Sequence, residues 1–217
     1  MKVLLTGATG MVGSLVLQQN LDNQDILEVV SLLRRLSGVQ HPKLTELVIK
    51  NFLSLEEVAT FCQGIDAVYY CQGVYTGTVD HDLFRQITID YPEALAKIIK
   101  TTSPDARFCL LSGAGADRSG RSRVAFARDK GEIENRLSNL GLGAFHSFRA
   151  GYIFPVTPRQ EPNLGYRLLR LLYPFIRLFG EGSSIRSTEL AEAMFRVGLQ
   201  GHTNEILENK DIIAVIR

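Results

Sequence analysis

Glycines at positions 7, 10 and 13 follow the apolar run of residues 2–6 and lead into an amphipathic stretch over 11–20. A strand that turns sharply into a helix is built to hold a pyrophosphate: Gly7 lets the backbone turn, Gly10 lets phosphate approach, and Gly13 lets the helix lie close to the strand. Free amides at the helix start then point at phosphate oxygens. On this reading Thr6, Gly7, Thr9, Gly10, Met11, Val12 and Gly13 surround a bound dinucleotide. The spacing differs from the common G-x-G-x-x-G fingerprint, so the assignment rests on the strand before it and the helix after it. A tight turn with no ligand is the competing reading.

Arg34 and Arg35 stand at the carboxyl end of the second apolar run, where an NAD-preferring protein places an acid for the ribose hydroxyls. Guanidinium groups suit a 2′-phosphate, so the expected cofactor is NADP(H) in preference to NAD(H), against the alternative of two solvated loop residues. Asn51 is a candidate partner for the adenine amino group, or else a turn residue. Cys71 and Gly73, in the turn after the fourth strand, are expected beneath the adenosine ribose.

The elements that must position these residues alternate. Short apolar runs at 2–6, 26–33, 44–50, 67–72, 107–112 and 144–149 read as parallel strands. Helices are predicted over 82–102, with Pro92 at a restart, and over 123–140; Ser54 and Glu57 predict a capping box for a helix ending near Gly64. The pattern predicts an α/β fold, a doubly wound parallel sheet with helices on both faces and its ligand at the carboxyl ends of the strands. After Gly151 an irregular stretch with Pro155, Pro158 and Pro162 precedes an apolar helix at 164–179, kinked at Pro174, then a helix near 188–199 and a short strand and helix. Residues 152–217 are therefore expected to form a small C-terminal cap for substrate or partner, within a single domain spanning 1–217. The helix at 164–179, with Arg167, Arg170 and Arg177 among its leucines and aromatics, reads as a lid, or as a surface for a membrane or a partner.

The chain has 217 residues, enough to bury a substantial core without disulfides, and a formal charge of +1, which gives no argument for nucleic acid. Cys62, Cys71 and Cys109 lie in or beside apolar runs, so neither a disulfide framework nor a metal site is expected. No apolar stretch approaches the roughly 18 residues of a spanning helix, and no secretory leader precedes the first strand, so a cytoplasmic protein without integral membrane association is expected.

The ordered set TGATGMVG at 6–13, CQG at 71–73, LLSGAGAD at 110–117, KGEIE at 130–134 and FRAGYIFP at 148–155 resembles the short-chain dehydrogenase/reductase superfamily, in its small atypical branch. The resemblance covers almost the whole chain and implies a Rossmann sheet and a nicotinamide dinucleotide; it does not by itself imply catalysis. In that superfamily a tyrosine and a lysine one helical turn apart do the proton transfer, the ammonium lowering the phenol's pKa. Here the segment reads Phe126-Ala-Arg-Asp-Lys130: the lysine is present and the tyrosine is not. The superfamily's serine maps onto Ser112 or onto Gly113. The resemblance thus makes Ser112 and Lys130 candidate catalytic and cofactor-binding residues, Gly151 a backbone contact to the carboxamide, and Tyr152 the substitute hydroxyl, although a packing tyrosine is the stronger reading. His81 and His146 receive no role. Arg118, Arg121, Arg123 and Arg128 crowd the loop beside this site, as a solvated loop or as an attractor of an anionic substrate or acidic partner. These residues together imply an NADP(H)-binding protein with an incomplete catalytic set, a redox-linked regulator or very weak oxidoreductase. The alternative is an NADPH-dependent reductase of a small carbonyl compound with another proton donor. A small molecule or a protein partner, and a monomer or a homodimer, remain open.

Overall fold

The computed structural model describes residues 1–75, 77–157 and 182–217. The sheet contains β1 (Lys2–Thr6), β2 (Glu28–Leu33), β3 (Leu44–Val48), β4 (Ala67–Tyr70), β5 (Arg107–Leu111), β6 (Ala144–Arg149) and β9 (Ile206–Glu208). Their order is β3-β2-β1-β4-β5-β6-β9, and every pairing is parallel. Because both faces are covered, the central strands β1, β4 and β5 are nearly continuous apolar runs, and successive residues feed two cores. Val3, Leu5, Val29, Tyr69 and Phe148 pack with α1 (Gly13–Asp22) and α5 (Ser187–Gln200). Leu4, Val30, Val68, Tyr70 and Phe108 pack on the other face with a short 3-10 helix (Glu56–Cys62), α3 (Tyr91–Thr102) and α4 (Ala125–Asn139).

The chain builds outward from β1 to β3, then crosses back to place β4 on the other side of β1. The strand order therefore reverses between β2 and β4, and a crevice opens at the carboxyl ends there. Register makes this specific: Thr6 pairs with Leu32 on one side and Tyr70 on the other, which brings the turn after Thr6, the arginines after Leu33 and the turn after Tyr70 together.

The helix expected over 82–102 is α2 (His81–Arg85) continuing through a π-helical segment (Gln86–Asp90) into α3, which carries a proline in its first turn as expected. The capping box at Ser54 and Glu57 does not form. Ser54 Oγ donates to Glu56 Oε2 at 2.8 Å, and the 3-10 helix starts after Leu55 with no side-chain cap.

The C-terminal segment differs most from expectation. β7 (Tyr152–Phe154) and β8 (Ser184–Arg186) form a separate parallel pair in place of a wholly irregular stretch. The later elements belong to the body of the sheet rather than to a cap: β9 is its seventh strand, pairing Ser147 with Ile206, and α6 (Asn209–Val215) buries Ile212 in the same core as α1. The reason is the apolar face of α5, whose Leu190, Ala191, Met194 and Val197 are buried, together with close approach at Gly198. A Cβ there would lie 2.2 Å from the Tyr69 hydroxyl, so only glycine lets the helix settle on β4. Arg107 ties the same helix end down, donating to the Gly198 and Leu199 carbonyls. The helix expected at 164–179, with Pro174 and its arginines, lies outside the described residues, as do Pro158 and Pro162.

Candidate functional site

Two cavities adjoin at the carboxyl edge of the sheet. The first, of about 440 Å³, is walled by Gly7, Thr9, Gly10, Arg34, Arg35 and the turn Cys71 to Gly73. Gly7 has φ +77°, and a Cβ on it would lie 2.6 Å from the Cys71 carbonyl carbon. The Gly10 amide donates to the Gly7 carbonyl at 2.8 Å, closing the turn. A Cβ on Gly13 would stand 2.2 Å from the Gly7 oxygen. Helix α1 thus begins hard against the turn, with no side-chain cap and no acidic residue in its first turn, so its positive end stays open to an anion. This glycine-lined cradle fits a pyrophosphate. Val12 turns its side chain into the core, leaving only its backbone for the ligand, while Met11 faces the second cavity.

Arg34 and Arg35 are exposed at the cavity wall, and among the described residues neither has an ion-pair or hydrogen-bond partner. Thr6 is buried behind the turn and its hydroxyl has no hydrogen-bond partner among the described residues; it does not reach the cavity wall. Asn51 is not brought to the site. It is exposed, and its Oδ1, the atom an adenine amino group would need, accepts from the Leu53 amide at 3.0 Å in a local turn.

The second cavity, about 490 Å³, lies past the end of β5 and under β7. Ser112, Gly113, Phe126, Gly151 and Tyr152 line it, so the structure does gather the expected reactive-end residues. Their orientations decide what they can do. Ser112 is buried, and its hydroxyl donates to Glu134 Oε1 at 2.8 Å. Gly113 is the position that faces residue 126: a Cβ on it would stand 2.7 Å from Phe126 Cζ. The phenyl ring therefore occupies the space a side chain at 113 would need, and Phe84 packs on it with ring centroids 6.3 Å apart. Gly151 donates its amide to Asn209 Oδ1 at 2.8 Å, which leaves that N–H committed to α6.

Lys130, one helical turn after Phe126, places Nζ 3.4 Å from the Leu111 carbonyl. Desolvation pulls its pKa down to about 8, and the negative charge of Glu134 offsets part of that fall. The ammonium is enclosed even though the residue as a whole is only half-buried.

Glu134 enters the sequence reading only as a letter of the KGEIE motif, without a role. It is fully buried, yet Ser112, Ser147, Arg149 and Arg118 all donate to its carboxylate. Burial opposes its ionisation, but the hydrogen bonds from Arg149, Ser147 and Ser112 outweigh it and hold the carboxyl below the usual range. Arg149 also reaches Glu208, and Arg118 reaches Glu205, so the network joins α4, β5, β6 and the β9 edge. The spacing Lys130 to Glu134, one turn along a helix, was the available signal. Similarly, Asp129 is buried between Arg85 at 2.5 Å and His81 at 3.2 Å, which gives His81 a partner that its place in the sequence did not suggest. Of the arginines near the site, Arg118 is committed to Glu134 and Glu205, Arg128 donates to the Ser122 carbonyl, and Arg121 and Arg123 are exposed. The cysteine thiols are pushed up by burial, Cys62 to about 11 and Cys109 to about 12.

A family model described as NAD(P)H-binding matches residues 7–142. Protein HTATIP2 of Rattus norvegicus is 28% identical over 217 residues, spanning 97% of this chain and 87% of that one. The fold is similar to that of a GalE-like L-threonine dehydrogenase from Cupriavidus necator in its holo form, with a TM-score of 0.71 and 14% identity over 97% of this chain and 76% of that one. It is similar also to the Bordetella bronchiseptica enzyme WbmH in complex with NAD+, with a TM-score of 0.68 and 19% identity over 94% of this chain and 73% of that one. At these identities the structural likeness speaks to the fold alone.

Proposed function

The chain belongs to the NAD(P)H-binding family, as an atypical short-chain dehydrogenase/reductase with a Rossmann sheet, and from that premise we propose an NADP(H)-binding protein whose usual proton-transfer groups have been replaced. Its output is redox-linked regulation or very weak oxidoreduction. The observation that carries this reading is the contact between Phe126 and Gly113, which fills with a phenyl ring the two positions where hydroxyls would meet. The other register for the serine does not supply one, because the Ser112 proton is held by Glu134.

When bound, the nicotinamide supplies a hydride. This chain's part is binding and orientation: the α1 amides and the turn at Gly7 and Gly10 hold the pyrophosphate, Arg34 and Arg35 take the 2′-phosphate, and Lys130 binds ribose hydroxyls. A phenyl group neither gives nor takes a proton, and loss of a general acid forfeits about 10²- to 10⁴-fold in rate. The compartment we propose is the cytoplasm, where Cys62, Cys71 and Cys109 stay reduced. Tyr152 lines the same cavity and is the hydroxyl to test if turnover is found.

Parallel fluorescence titrations with NADPH and NADH test the cofactor assignment, with NADPH expected to bind the more tightly. Turnover of NADPH with carbonyl compounds at ordinary enzymatic rates would overturn the catalytic reading. Phe126→Tyr is expected to raise whatever reductase activity exists by about a hundredfold, the lower end of a general acid's worth; a fall in activity would mean that the site is built around the phenyl ring.

A further inference from the structure

We propose that the second cavity binds an uncharged, flat aromatic molecule lying against the Phe126 ring. This rests on reading the cavity as the reactive end of the dinucleotide site, and it deepens that reading by naming what else enters.

Among the described residues no charged side chain lines the cavity, and Met11, Phe126, Ile153 and Pro155 supply much of its wall. One polar group of the wall, the Ser112 hydroxyl, is turned away to Glu134. Of the neighbouring cations, Arg118 is spent on Glu134 and Glu205, Arg128 on a backbone carbonyl, and Arg121 and Arg123 are exposed and do not line the cavity. Among the described residues an anionic substrate would find no charged partner here to offset its lost hydration, which is costly. A neutral ring loses only apolar hydration, which favours burial.

Phe126 offers a fixed face for such a ring. The tip of its ring, Cζ, meets the backbone position of Gly113, and Phe84 packs on it at a tilt of 51°, so little rotamer freedom remains to be lost when a ligand stacks on it. The chain next to the wall is also apolar and exposed. Val124, two residues before Phe126, is 59% exposed, and Val156, adjoining Pro155, is 48% exposed.

The experiment titrates the full chain with a naphthol and with the corresponding naphthalenesulfonate, which share a ring system and differ in charge. Ligand fluorescence is the readout, and the protein has no tryptophan to obscure it. Each titration is made with and without NADPH. The naphthol is expected to bind at least about tenfold more tightly than the sulfonate, a difference of about 1.4 kcal/mol. Ala114 is exposed at the cavity wall, so Ala114→Asp adds a charge there without disturbing the core, and it is expected to weaken the naphthol by about tenfold while folding normally by circular dichroism. Equal or tighter sulfonate binding, or naphthol binding indifferent to Ala114→Asp, overturns the proposal. The separate NADPH titration reports on the dinucleotide site, so failure of that reading is seen apart from failure of this one.

Discussion

The two halves of the crevice share one scaffold and put their side chains to opposite uses. At the β1 and β2 ends, glycines whose Cβ atoms would clash with the turn sit beside exposed arginines that none of the described residues engages. At the β5 end, Phe126, one helical turn before Lys130, is packed against Gly113, and Ser112 is tied to Glu134. On the function proposed above, the difference teaches that holding a dinucleotide and moving a proton are separable. The first depends on backbone geometry and a few cations, the second on one hydroxyl at one place.

The comparison breaks most readily at the intact half. Gly13→Val has no room beside the Gly7 oxygen, and it is expected to weaken NADPH binding beyond about a hundredfold in a fluorescence titration, with the melt followed in parallel. Unchanged binding would mean that the glycine turn is not the phosphate cradle.

At the other half, Glu134→Ala leaves the hydroxyls of Ser112 and Ser147 without their acceptor and Arg149 with Glu208 as its one remaining carboxylate among the described residues. The expected loss, measured by urea unfolding, is about 3–5 kcal/mol, the cost of stripping one partner from a buried ion pair. A loss under about 1 kcal/mol would place Glu134 outside the structural frame of the site.

The cofactor assignment is sharpened by Arg34→Ala combined with Arg35→Ala. Removing charge-assisted hydrogen bonds to a 2′-phosphate is expected to weaken NADPH about 10- to 100-fold while leaving NADH within about twofold. Equal loss of both cofactors would assign the arginines to the pyrophosphate instead.

The smallest effect concerns Lys130, whose pKa falls from the ordinary 10.5 to about 8 in the folded chain. Between those values the unfolded chain holds a proton that the folded one has released, so the group's contribution to stability rises with pH across that window. Below about pH 8 the buried ammonium is a net cost. Lys130→Met is therefore expected to raise the melting temperature by a few degrees at pH 7, with the gain shrinking as the pH approaches 10.5. A gain that does not depend on pH would come from packing alone.

Much of the scaffold was legible because local pattern and tertiary role coincide. The bounds of β1 and β6 are those expected, since a buried parallel strand is apolar whatever surrounds it. The proline in the first turn of α3 was legible for the same reason, because its effect is local. Asn51 shows where this stops: an asparagine after a strand suits a ligand or a turn equally, and only the hydrogen bond to Leu53 chose between them. The Ser54 capping box failed similarly, its hydroxyl preferring the nearer carboxylate of Glu56.

By itself the sequence determined the alternating elements, the glycine turn, the arginines at the end of β2 and a phenylalanine, Phe126, one helical turn before Lys130. These are properties of short windows, fixed by backbone sterics and residue type. Tertiary structure alone decided that β9 closes the edge of the sheet instead of capping the site, that the ring of Phe126 rests on Gly113, and that a buried Glu134 gathers donors from β6, the end of β5 and a loop. Each of these depends on residues far apart in the chain meeting at atomic distance, which spacing along the chain does not encode.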